Sequence, residues 1–115
     1  MPEKRKKKAI YPWLMYPSTR QLLNAAAEAE GRPLSNWLER FVVPFALSQV
    51  EGDSAGLEPA DLPEGEVKVK PPYSWRLHEA EKAAVEKAAK LDGRSVSNWL
   101  DVWGAALATR QLGRD

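Results

Sequence analysis

The chain repeats itself. Residues 29–41, AEGRPLSNWLERF, recur 62 positions later as residues 91–103, LDGRSVSNWLDVW. The same offset, without a gap, sets Tyr11 against Tyr73, Trp13 against Trp75, Ala26 against Ala88, Ala27 against Ala89 and Ala46 against Ala108. Gly31-Arg32 meets Gly93-Arg94, and Ser35-Asn36-Trp37-Leu38 meets Ser97-Asn98-Trp99-Leu100. A shared period of this kind is one supersecondary unit written twice, and such a unit cannot bury its apolar face alone. The two copies must therefore complete each other.

Each copy reads in the same order. A short alternating segment comes first, Ile10-Tyr11-Pro12-Trp13-Leu14-Met15 or Pro72-Tyr73-Ser74-Trp75-Arg76-Leu77. Aromatics at every second position predict a strand with one buried face. An Ala-, Glu- and Lys-rich helix follows over 17–30 and 79–92, with an expected apolar stripe of Leu22, Ala26 and Ala29 or Ala84, Ala88 and Leu91. Gly31 and Gly93 stand where a left-handed C-cap is needed. A second helix is expected over 34–48 and 96–110. Ser35 and Ser97 are candidate N-terminal hydroxyls there, with Ser95 the alternative in the second copy.

A lone strand leaves its backbone groups unpaired, so the copies predict an antiparallel ribbon of 10–14 with 72–76, within one chain. The prolines agree. Pro12 and Pro72 both fall opposite the aromatic face, and one register places both where an N–H would point away from the partner strand. The expected fold is mainly α with one two-stranded antiparallel β-ribbon, an intramolecular pseudo-dimer of two units.

Composition narrows the function. Of 115 residues 43% are hydrophobic and 29% charged, a globular balance. There is no cysteine and one histidine, His78, so disulfides, a thiol nucleophile and the usual zinc site lack their residues. No carboxylate pair, Ser-His pairing or phosphate loop stands at motif spacing, so neither an enzyme nor a cofactor is expected. No apolar run reaches membrane length, and none of signal-peptide length follows the basic N-terminus; the expected location is cytoplasmic and away from membranes.

The formal net charge of +1 hides three blocks. Residues 1–50 carry eight bases against four acids. Residues 51–66 carry six acids and no base. Residues 67–115 carry nine bases against six acids. The division that follows is a basic tail (1–8), a first unit (9–48), an acidic Pro/Gly linker (49–67) and a second unit (68–115), both units forming one folded domain. Nineteen flexible residues span roughly 25 Å, enough to cross a small domain. The linker reads either as a disordered spacer or as an acidic segment that folds back on the basic parts.

Strand, helix, Gly-Arg-Ser-Val turn, helix resembles the ribbon-helix-helix family, that of the Arc and MetJ repressors. Copy two carries the likeness over about 35 residues, through Tyr73-Ser74-Trp75-Arg76-Leu77 and Gly93-Arg94-Ser95-Val96-Ser97-Asn98. The family works as a dimer, and this chain resembles a tandem version of it. The resemblance implies a ribbon in the major groove of double-stranded DNA and the N-terminus of helix two on a phosphate. By position the reading residues are Pro72, Ser74 and Arg76 in copy two and Ile10, Pro12 and Leu14 in copy one. Ser95 and Val96 form the implied phosphate grip through their backbone N–H groups, and Arg94 beside them counts among the implied DNA-binding residues. Its counterpart in copy one falls on Pro33 and Leu34, and Pro33 has no N–H to give. Room is left for a second copy of the chain on the same DNA.

The implied reading face is uneven. Arg76 suits guanine and Ser74 suits a donor or an acceptor, but Ile10, Pro12 and Leu14 offer apolar contact alone. Two functions are therefore carried forward. One is a sequence-specific DNA-binding protein, a small transcriptional regulator. The other is a protein-binding module, such as an inhibitor, antitoxin or adaptor, that uses the apolar first strand. Lys4, Arg5, Lys6, Lys7 and Lys8 read as a phosphate-tracking arm or as a solubilising tail. Trp37, Phe41, Trp99 and Trp103 read as core between the halves, and His78 as a structural residue opening a helix. Pro44, the counterpart of Ala106, is expected to kink or end the second helix of copy one.

Overall fold

A computed structural model describes residues 9–54, 56–68 and 70–113. The element order is β1 (Ala9–Trp13), α1 (Pro17–Ala29), α2 (Leu34–Trp37), a π-helical turn (Leu38–Val42), α3 (Val43–Val50), β2 (Tyr73–Leu77), α4 (Glu79–Leu91) and α5 (Val96–Gln111). The protein is mainly helical, with one two-stranded antiparallel sheet among the described residues.

The two strands pair Ala9 with Leu77, Ile10 with Arg76, Tyr11 with Trp75, Pro12 with Ser74 and Trp13 with Tyr73. This is the expected register, with the ladder displaced by one residue along it, so Leu14 and Pro72 fall just beyond its end. Pro12 opposes Ser74, at a position whose missing N–H costs no ladder bond. The aromatic face turns inward, with Trp13 and Trp75 fully buried.

Helices α2 and α3 and the turn between them form one continuous helical rod, with helical φ and ψ at both junctions. Pro44 does not end it. The residue lacks an N–H, and its ring would press on the carbonyl four residues back. The helix answers with the π turn just upstream, where the Val43 N–H reaches back five residues to the Leu38 carbonyl.

The buried stripe of α1 is Thr19, Leu23, Ala26 and Ala27, and that of α4 is Ala84, Val85, Ala88 and Ala89. Ala26, Ala84 and Ala88 are buried as expected, and the other three expected positions are corrected. Ala29 is exposed and Leu22 half-buried, while Leu91 is 63% exposed. Leu23 and Val85, equivalent positions, share the inner face with the buried alanines.

Packing crosses between the copies. Helix α1 lies on α5, and α3 lies on α4. The Trp37 indole N–H donates to Gln111 Oε1 at 2.7 Å, and the equivalent Trp99 donates to the equivalent Gln49 at the same distance. Trp13, Trp37, Trp75 and Trp99 are all fully buried. At about 200 Å² each, each ring stabilises by up to about 5 kcal/mol before chain entropy is counted.

The segment between the copies lies against the body rather than swinging free. Leu57 and Leu62 pack on the core, and the Ala60 N–H donates to the Val102 carbonyl at 3.0 Å. Helix α5 is consequently buried on all sides from Trp99 to Ala108. Gly104 faces α1, where a Cβ would make an ordinary contact of 3.5 Å with Leu23 Cδ2.

Candidate nucleic-acid interface

The alternation that buries Trp13 and Trp75 turns Ile10, Pro12, Ser74 and Arg76 outward, and all four are exposed. They form two facing pairs, Ile10 with Arg76 and Pro12 with Ser74. Of these four, Arg76 alone carries a charge. The other two residues expected here, Leu14 and Pro72, stand outside the ladder. Leu14 is half-buried and Pro72 is exposed.

Two cross-copy hydrogen bonds pin the ribbon to the helices behind it. Tyr11 Oη and Ser97 Oγ are 3.1 Å apart, and Tyr73 bonds Ser35 in the same way. The first turn of α5 is thereby held beside β1, and the first turn of α2 beside β2. The hydroxyls of Ser35 and Ser97, expected as caps, serve the ribbon instead. Ser95 caps α5, its Oγ accepting from the Asn98 N–H at 3.1 Å. The cap of α2 is Pro33, which makes no side-chain bond.

The implied phosphate grip is thus unequal between the copies. The amides at Ser95 and Val96 open a long helix, where no carbonyl one turn earlier accepts them. Arg94 is committed locally, its Nε donating to Asp92 Oδ2 at 2.8 Å. The same carboxylate oxygen accepts the Trp103 indole N–H at 2.8 Å. Lys4, Arg5, Lys6, Lys7 and Lys8 lie outside the described residues.

Lys68 is drawn inward. Its ammonium sits 3.5 Å from Asp101 Oδ2 and 5.0 Å from the centre of the Tyr16 ring. Asp101 is 2% exposed, and its Oδ1 accepts the Tyr16 N–H at 3.4 Å. Burial raises the carboxyl above its ordinary value; Lys68, the Thr19 hydroxyl and the Tyr16 amide hold it down, without cancelling the effect. Two residues upstream of Lys68, Glu66 meets the start of α1, accepting from the Ser18 N–H at 3.1 Å and the Ser18 hydroxyl at 3.0 Å. The first turn of α1 has no acid of its own, so a linker carboxylate serves its positive end. Glu66 and Asp101 escape sequence reasoning because both act across long separations; the absence of any acid in the first turn of α1 is the one available sign.

Glu39, His78 and Glu81 each bring one potential ligand atom within 4.8 Å of the others. Local structure accounts for part of this group. His78 is the N-cap of α4, and its N–H donates to Glu81 Oε1 at 2.8 Å. The positive end of the helix dipole there disfavours a cation. No helix among the described residues is long and apolar enough to cross a membrane.

Comparison with family models, with curated proteins and with solved structures finds no match to this chain.

Proposed function

We propose that this chain is a sequence-specific DNA-binding protein, a small transcriptional regulator, acting as a tandem ribbon-helix-helix pseudo-dimer in one polypeptide. The observation that carries the reading is the ribbon itself. Its inner aromatic face is locked into the core, while its outer face presents Ser74 and Arg76 on one strand. A two-stranded ribbon fits the major groove, roughly 12 Å wide. Arg76 would take the O6 and N7 of a guanine, Ser74 a neighbouring base edge and Ile10 a thymine methyl. The amide end of α5, tied to β1 through Tyr11 and Ser97, would hold a phosphate beside the groove. Support for the pseudo-dimer comes from the equivalent bonds that cross between the copies, Tyr11 with Ser97 and Tyr73 with Ser35, Trp37 with Gln111 and Trp99 with Gln49.

A second reading has one observation of its own. Ile10 is 51% exposed beside exposed Pro12, so half of the face is apolar and suits a protein partner. A gel-shift salt series on genomic fragments decides between them. DNA reading expects a subset of fragments retained as salt rises, with affinity falling log-linearly. Binding that stays weak and sequence-blind at low salt overturns it in favour of the protein-binding module.

A further inference from the structure

We infer that the ribbon reads base sequence from one end only, so that its target is a single asymmetric element rather than an inverted repeat. The inference rests on the DNA-binding reading and deepens it. The 62-residue equivalence carries Pro12 onto Ser74, and these two face each other at the middle of the outward face. On one side of that middle stand Ile10 and Arg76, directly opposed and both exposed. Their equivalents on the other side are Pro72 and Leu14, beyond the ladder and without a polar side-chain atom. The side chains able to discriminate bases therefore sit at the Arg76 end and at the centre.

Directly opposed Cβ atoms lie about 5 Å apart, and base pairs rise about 3.4 Å. Arg76 and Ile10 thus address the same or adjacent base pairs. The recognised chemistry is a guanine for the guanidinium next to a thymine methyl for Ile10, with a tolerant step under Ser74 and Pro12. The far half of the footprint receives backbone contact and no base reading.

The test is selection from a randomised duplex pool by the full chain, followed by affinity measurements on the winning duplex and on a scrambled one. The expected result is one short motif holding a guanine and an adjacent thymine, without an inverted copy. Arg76→Ala, checked for an unchanged melting temperature, is expected to lose roughly ten- to a hundredfold on the winner and little on the scrambled duplex. Leu14→Arg places a guanidinium at the position equivalent to Arg76 and is expected to add the inverted copy to the selected motif. An inverted repeat selected by the unaltered chain overturns the inference while leaving DNA binding intact. So does salt-dependent binding with no selected motif. Failure to bind any duplex at low salt overturns the DNA-binding reading itself.

Discussion

Trp37 and Gln111, 74 residues apart in the chain, are joined by an indole N–H···O bond of 2.7 Å. Gln111 also donates from Nε2 to the Ala26 carbonyl at 3.0 Å, so one side chain ties the end of α5 to both α1 and α2. Gln111→Ala leaves a fully buried indole N–H without its acceptor. The expected loss is about 1–3 kcal/mol of stability, read from urea unfolding as a lower midpoint with an unchanged slope. A loss under about 0.5 kcal/mol would mean that the buried indole finds another acceptor.

Cutting the chain between Gly52 and Asp53 is expected to leave the two pieces associated, because α1 packs on α5 and α3 on α4 across the cut. The connector chiefly raises effective concentration, to the millimolar order. Size-exclusion chromatography at micromolar concentration should give one peak and one cooperative melt. Two separating fragments, each with its own transition, would refute this.

Asp101 gives the stability a pH signature. Its folded-state value lies above the ordinary 3.8, so the folded protein holds the proton more tightly than the unfolded chain. That contribution is present in full below the ordinary value and is lost as pH rises through the folded one. Asp101→Asn should remove the dependence, gaining ground on the parent in melting temperature from about pH 3 to pH 7. Removing the neighbouring cation with Lys68→Met should move the window to higher pH. A parent-to-Asn difference that stays flat across this range would rule out the assignment.

Replacing Lys4 to Lys8 with Ala should weaken binding to specific and random duplexes alike, if the protein reads DNA. The slope of log affinity against log salt should fall by about 0.9 for each phosphate that is no longer neutralised. Binding isotherms across a range of salt concentrations measure it. An unchanged slope would make the segment a solubilising tail.

Much of the fold is legible in the sequence because the two copies cross-check each other. Tyr11 with Tyr73 and Trp13 with Trp75 locate both strands and their inner face, and the register then follows from symmetry and from the prolines. The helix limits hold to within two residues. Most of the differences originate in contacts distant along the chain, and the one at Pro44 in a local adjustment of the helix. Ala26, Ala84 and Ala88 are buried as expected, but Leu22, Ala29 and Leu91 are not, because runs of alanine blur the apolar phase and packing on α5 and α3 decides the rest. Ser35 and Ser97 look like caps until the tyrosines of the opposite copy claim their hydroxyls. Pro44 looks like a stop until the π turn accommodates it. Of the candidate interface, the exposure of Ile10, Pro12, Ser74 and Arg76 follows from alternation alone. The ion pair of Lys68 with Asp101 does not, since it depends on where residue 68 returns to the body.

The neighbourhoods of Asp101 and Glu39 occupy equivalent places in the repeat, yet their chemistry has parted. One holds Tyr16, Thr19 and a buried carboxylate facing Lys68; the other holds His78 and Glu81 at the equivalent positions. In an assembly of identical chains every mutation is inherited by both halves, and a residue near the dyad must tolerate its own mirror. Here each half mutates alone. A change harmful in duplicate can enter as a single dose, and the two ends of the molecule are free to specialise under separate selection.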